Sequence, residues 1–126
     1  MGDEAVRMKK IQIEKTLFGN TITATVIPLD YGYEVTVFGG TKTHIGATTM
    51  TDTSGTPVSV SFSGHKEQIV TETWSRAFFD RFPEPNCVTA GIHYDNLSPE
   101  QIQIILRETD GMLAELLDRV QFAVTR

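Results

Sequence analysis

The spacing of apolar residues changes period about halfway along the chain, and this change limits the possible folds more than any other feature. Before Phe62 the repeat is two residues, as strands with one wet face require. Ile11 and Ile13 alternate with Gln12 and Glu14. Ile22, Ala24 and Val26 alternate with Thr21, Thr23 and Thr25, and Tyr33, Val35 and Val37 with Glu34 and Thr36. Ile45, Ala47 and Thr49 oppose Gly46, Thr48 and Met50, and Val58, Val60 and Phe62 form a further alternating run. Turn residues separate these runs at Phe18-Gly19-Asn20, Asp30-Tyr31-Gly32 and Asp52 to Pro57. Links this short predict an antiparallel meander.

After Phe62 the repeat becomes helical. Ile69, Val70, Trp74, Ala77, Phe78 and Phe82 recur at helical spacing between His65 and Phe82, with Ser63 as the expected N-cap. Pro83-Glu84-Pro85 stops this helix. Cys87 to Asp95 is a strand with Val88, Ala90, Ile92 and Tyr94 on one face. Ser98-Pro99-Glu100-Gln101 starts a second helix with a Ser cap, a Pro at the first helical position and a Gln three residues past the cap. Ile102, Ile105, Leu106, Leu113, Leu116, Leu117 and Val120 mark its core stripe, and Gly111 interrupts it at a bend or a close approach. The pattern predicts an α+β two-layer sandwich: a mostly antiparallel sheet of five to six strands with two helices on one face. Residues 1–10 form an expected flexible N-terminal tail, and 11–126 a single domain.

At 126 residues the chain suffices for one domain that buries roughly two-thirds of its unfolded surface. A net charge of −5 argues against nucleic acid as a partner, since phosphate binding needs a broad basic surface. Arg7, Lys9 and Lys10 form the only basic cluster, expected to be a solvated tail. The single cysteine, Cys87, has no internal disulfide partner and suits a half-buried strand thiol. No run of 18 apolar residues spans a membrane, MGDEAVRMKK lacks a signal core, and Val6 stands where a myristoylation signal has Ser or Thr. A cytoplasmic location is the default expectation.

Three segments do not follow from packing needs, and each carries one of the three histidines. In Gly39-Gly40-Thr41-Lys42-Thr43-His44-Ile45-Gly46-Ala47, glycines flank His44. A glycine-rich hairpin turn is the plainer account. Ser61-Phe62-Ser63-Gly64-His65-Lys66-Glu67 joins a strand to a helix start, where unpartnered N–H groups favour phosphate or carboxylate. The glycine spacing and Lys-Ser/Thr pair of a P-loop are missing. An ordinary capped helix accounts for it equally well. In Thr89-Ala90-Gly91-Ile92-His93-Tyr94-Asp95-Asn96, Gly91, His93 and Asp95 share the face opposite Ala90, Ile92 and Tyr94. A solvent-facing strand edge is the alternative there.

Two chemistries compete for these segments. In one, His44, His65 and His93 ligate a metal with an open position, although their spacing matches no metal motif. In the other, the helix start holds an anionic ligand whose flat body the histidines and glycines line. No GxSxG elbow is present; Asp95 and His93 could form a base and its orienting acid, but successive same-face strand residues are more often plain neighbours than a catalytic pair.

In this order, GGTKTHIGA (39–47), SGHKE (63–67) and TAGIHYDN (89–96) resemble the prenylated-flavin chaperone-like family, which includes the small accessory subunit of gallate-type decarboxylases. The likeness runs from about Ile11 through both helices. Thr41-Lys42-Thr43 departs from a His-Pro-containing version of the first motif, which bears on ligand specificity more than on fold. The resemblance implies an accessory role rather than a catalytic one. It implies prenylated FMN or FMN bound as cargo, with no metal. It also implies partnership with a UbiD-type aromatic acid decarboxylase and a flavin prenyltransferase. Together with the segments, it makes His44, Gly46, Gly64, His65, Lys66, Gly91, His93 and Asn96 the expected ligand-binding residues, with the phosphate at Gly64-His65-Lys66. A small metal-dependent enzyme and a structural oligomerisation module remain open as alternatives. A homo-oligomer is expected in any case, because a one-layer sheet leaves a face uncovered.

Overall fold

A computed structural model of the chain describes residues 8–62 and 66–125, with only the backbone of Lys66. Strands β1 (Ile11–Leu17), β2 (Asn20–Pro28), β3 (Tyr33–Gly40), β4 (Ala47–Thr51) and β5 (Pro57–Ser61) come first. Helix α1 (Lys66–Arg81), strand β6 (Asn86–His93) and helix α2 (Pro99–Val124) follow. The six strands form one mixed sheet in the order β1-β2-β3-β6-β4-β5. Every pairing is antiparallel except that of β3 with β6. The α+β, mostly antiparallel architecture is as the sequence predicts.

The meander is not. β6 inserts between β3 and β4, with Val35 opposite Val88 and Thr49 opposite Val88 from the other side. The β3–β4 link is not a hairpin: residues 41–46 step over the end of β6. Stepping over one strand means crossing about 10 Å, within reach of six extended residues. α1 carries the chain from β5 to β6, two strands that run parallel with β4 between them, and so returns β6 parallel to β3 as well.

α1 packs on β6, β4 and β5, and α2 on β1 and β2. Ile22, Ala24 and Val26 of β2, Val35 and Val37 of β3, and Val88 and Ala90 of β6 are buried beneath them. Trp74, Phe78, Leu116 and Val120 meet them from the helices. Tyr33 stacks at 5.0 Å between ring centroids on Phe82 and closes one end. Ser98 caps α2: its Oγ accepts from the Gln101 N–H at 3.1 Å, and Gln101 Oε1 accepts from the Ser98 N–H at 2.9 Å. α2 continues through Gly111, where an added Cβ would meet open space, so no close approach requires that glycine. Among the described residues no helix is long and apolar enough to cross a membrane.

Two apolar assignments are inverted. Ile69, expected in the core, is 57% exposed, while Thr71 and Ser75 of α1 are buried. β5 keeps its period of two, but Val58 and Val60 are 65% and 64% exposed, and Ser59 sits on the helix side, bonded to Glu72 of α1 at 2.9 Å. The reason is the layer beneath α1. Thr49 and Thr51 of β4 point at the helix, and hydroxyls satisfy hydroxyls there. Thr51 Oγ1 lies 2.5 Å from Ser75 Oγ, which donates to Asn86 Oδ1 at 2.6 Å, and Thr49 Oγ1 donates to Thr71 Oγ1 at 2.8 Å. Among the described residues every buried side-chain nitrogen and oxygen has a partner, as burial of polar groups demands. Ile45 and Phe62 lie outside β4 and β5 and are exposed, so each of those strands is shorter than its alternation suggests.

Candidate functional site

The crossing of residues 41–46 over β6 brings two of the three histidines together. Thr41 N–H donates to the His93 carbonyl at 2.8 Å, and Gly46 N–H to the Ala90 carbonyl at 2.9 Å. Between these anchors the His44 main chain lies directly over Gly91. A Cβ on Gly91 would stand 1.5 Å from the His44 carbonyl oxygen, so only glycine permits the crossing here. Gly91 therefore makes room for the chain's own backbone.

The imidazoles of His44 and His93 meet edge to face, with ring centroids 6.0 Å apart. Each contacts a carboxylate. His44 Nε2 lies 3.0 Å from Glu67 Oε2, and His93 Nε2 lies 3.0 Å from Asp95 Oδ1. The Glu67 side chain reaches His44 by passing over Gly46, where a Cβ would stand 2.6 Å from Glu67 Cδ. Gly46 thus packs against a side chain from the first turn of α1 and ties the crossing loop to the helix start. A small cleft of about 230 Å³ opens beside the pair, lined by Phe38, Thr43, His44 and Ile45.

Ser63, Gly64 and His65 lie outside the described residues, as does the Lys66 side chain; the described ends of that segment meet the crossing loop through Glu67 on His44 and through the Phe62 N–H, which donates to the Gly46 carbonyl at 2.9 Å. The described neighbour Glu67 places it close in sequence to His44's partner. Asn96 follows β6 in a left-handed turn at φ 55°, a conformation Asn tolerates, and its observed part is to route the chain into α2. Among the described residues no group of three or more His, Cys, Asp or Glu is placed to hold a metal ion.

Glu67 is the residue that sequence reasoning missed. It stands in the SGHKE motif, but only the crossing brings it under Gly46. Cys87 lies some distance away along β6, half-buried. Burial pushes its thiol up, and the negative charge of Glu34 adds to this, so it stays a neutral thiol rather than an activated nucleophile. A second cleft of about 530 Å³ opens at that opposite end of the strands, walled by Tyr31, Met50, Val58, Pro85 and Cys87 among others. Its lining includes the carboxylates of Glu34 and Asp52 and no basic residue, so it does not suit an anion.

Comparison with known proteins follows the same outline. The family described as the prenylated flavin chaperone LpdD-like domain matches residues 17–121. Protein LpdD of Lactiplantibacillus plantarum is 28% identical over 109 residues, covering 82% of this chain and 79% of that protein. In three dimensions the chain resembles a subunit in the crystal structure of a chaperone complex for yeast 20S proteasome assembly. That match has a TM-score of 0.53 and 15% identity, and it covers 93% of this chain and 99% of that one. At that identity the likeness is one of fold.

Proposed function

The chain belongs to the prenylated flavin chaperone LpdD-like family, and from that premise we propose that it binds prenylated FMN, or its precursor FMN, as cargo. In this reading it is an accessory chaperone and does no bond chemistry of its own. It serves a UbiD-type aromatic acid decarboxylase, receiving cargo that a flavin prenyltransferase makes.

The observation that supports a flat ligand is the His44–His93 pair, presented at 6.0 Å beside Phe38 where residues 41–46 cross Gly91. The cleft there is smaller than the roughly 300–1,000 Å³ of a typical ligand pocket. It suits one edge of an aromatic ring system, with the remainder lying against the partner enzyme. A shallow site of this kind favours transfer over retention, because much of the ligand stays accessible to the acceptor. The phosphate belongs in this reading at the start of α1, near Gly64-His65-Lys66, where N–H groups without intrahelical partners favour an anion. Glu67, in the first turn of α1, is engaged by His44 at 3.0 Å.

Titration with FMN and with prenylated FMN, followed by flavin fluorescence, tests this. Binding at about 10 μM or tighter is expected for at least one of them, weakened tenfold or more in His44→Ala, His93→Ala and His65→Ala. Absence of binding by the wild-type chain sinks the cargo assignment. Binding that all three variants retain keeps the cargo and removes the site.

A further inference from the structure

The face of the sheet away from the helices is built as an interface, and we infer that a second copy of this chain covers it, seated on the β6–β4–β5 side. The inference does not rest on the flavin reading, although His93 of that site stands on the same face, at the end of β6.

Outward residues on this face line up in rows across the strands. Thr25, Thr36, Thr89, Thr48 and Val60 are successive partners from β2 to β5, and Ile27, Glu34, Cys87, Met50 and Val58 form the next row. Thr48 and Thr89 join their hydroxyls at 3.0 Å. The rows consist largely of short or β-branched side chains, so the surface is flat, as packing of two sheets about 10 Å apart requires. Met50, Val58 and Val60 are about three-fifths exposed and adjoin one another. A contiguous apolar patch on a sheet face marks an association surface.

Charge selects the occupant. The chain carries 27 charged residues and a net −5, so two copies repel over most of their surface. β4 (ATTMT), β5 (PVSVS) and β6 (NCVTAGIH) contain no Asp, Glu, Lys or Arg. The carboxylates on the open face, Glu14 and Glu34, lie on β1 and β3. β4, β5 and β6 bring no carboxylate of their own, and Glu34 of β3 with Asp52 just past β4 stands at one end of the patch, so two acidic copies approach best over Thr48, Thr89 and Val60. The outer edges agree. β1 presents Glu14 and Lys15, the charged blunting common on free edges, whereas β5 has none beyond the Pro57 at its start. The area sets how far the contact extends: three strands about 4.8 Å apart and about 20 Å long project only about 290 Å², so an interface of the standard ~800 Å² per partner has to run on along the threonine row over β3 and β2.

Sedimentation equilibrium of the full chain over about 1–100 μM tests the inference. The wild type is expected at twice its 14.0 kDa mass. Val58→Lys/Val60→Lys is expected at the single-chain mass with unchanged far-UV circular dichroism, because both side chains are already exposed within one chain. Where the double variant does not fold, Val60→Gln serves, with at least a tenfold weaker association expected. A wild type that stays monomeric across the range overturns the inference, as it does if the face is kept for a different protein. Any assembly that survives the substitutions with its mass intact overturns it too.

Discussion

Val35 and Val60 belong to one sheet and one residue type, yet the first is fully buried under the helices and the second is 64% exposed on the open face. The difference extends to whole strands. In β2, β3 and β6 the helix side is largely apolar, and the open side mixes threonine (Thr21, Thr23, Thr25, Thr36, Thr89) with Ile27, Glu34, Phe38, Cys87 and His93. In β4 and β5 the helix side is threonine and serine, and the open side carries Met50, Val58 and Val60. One half is held by burial of apolar surface, worth about 25 cal/mol per Å². The other is docked to α1 by hydroxyls, each bond netting about 1 kcal/mol. A helix that faces both halves must change character around its axis, and α1 does: Trp74 and Phe78 face the apolar half, Thr71 and Ser75 the polar one. The polar half leaves its apolar side chains for something outside the chain.

The largest effect is expected at the seam between the halves. Gly91→Ala sets a methyl group against the His44 carbonyl, a backbone atom that cannot swing aside. The crossing loop must lift and the His44–His93 contact must break. A cost of about 3 kcal/mol or more is expected in urea unfolding. A cost below about 1 kcal/mol would show that the loop does not cross β6 as described. Gly46→Ala is milder, because the atoms it meets belong to the flexible Glu67 side chain.

The same substitution in each half sharpens the comparison. Val35→Thr buries a hydroxyl among apolar neighbours and is expected to cost about 2 kcal/mol. Val60→Thr in dilute protein is expected to change stability by less than about 0.5 kcal/mol. If a second copy covers Val60, its cost grows with protein concentration, since association stabilises the folded chain by mass action. Equal, concentration-independent costs at the two positions would erase the distinction between the halves.

Much of this fold is legible in the sequence because period and turn residues are local. Ser98-Pro99-Glu100-Gln101 forms the capping box its residue types specify, and the strands of the first half occupy their alternating runs. What is not legible depends on partners distant in the chain. Val58 and Val60 alternate like core residues, and nothing in PVSVS says which side the helix takes; Thr49 and Thr71 decide it. The parallel insertion of β6 follows from a crossover through α1, which six residues of loop do not announce. At the site, the glycines beside His44 and His93 signal close approach correctly but not what approaches. Gly91 admits the His44 backbone and Gly46 the Glu67 side chain.

The smallest expected effect lies in the turn that joins β4 to β5, and it tests whether the polar half also depends on pH. Asp52 accepts from the Ser54 hydroxyl at 2.6 Å, the Thr56 N–H at 3.1 Å and the Ser54 N–H at 2.9 Å. These bonds hold its carboxyl below the ordinary carboxylate range, with the Ser54 hydroxyl the largest contributor. A pKa lowered by folding adds stability that is present above the unfolded value of about 4 and lost as pH falls through the folded value. Asp52→Asn keeps an acceptor oxygen but loses the charge. It is therefore expected to melt slightly lower than wild type at neutral pH, and the gap should close as pH falls below about 4. The group is fully exposed, so solvent screens the effect and the shift is small. A gap that stays constant from neutral to acid would mean that the carboxylate's charge contributes nothing to the turn, leaving β4 and β5 joined by hydroxyl bonds and backbone alone.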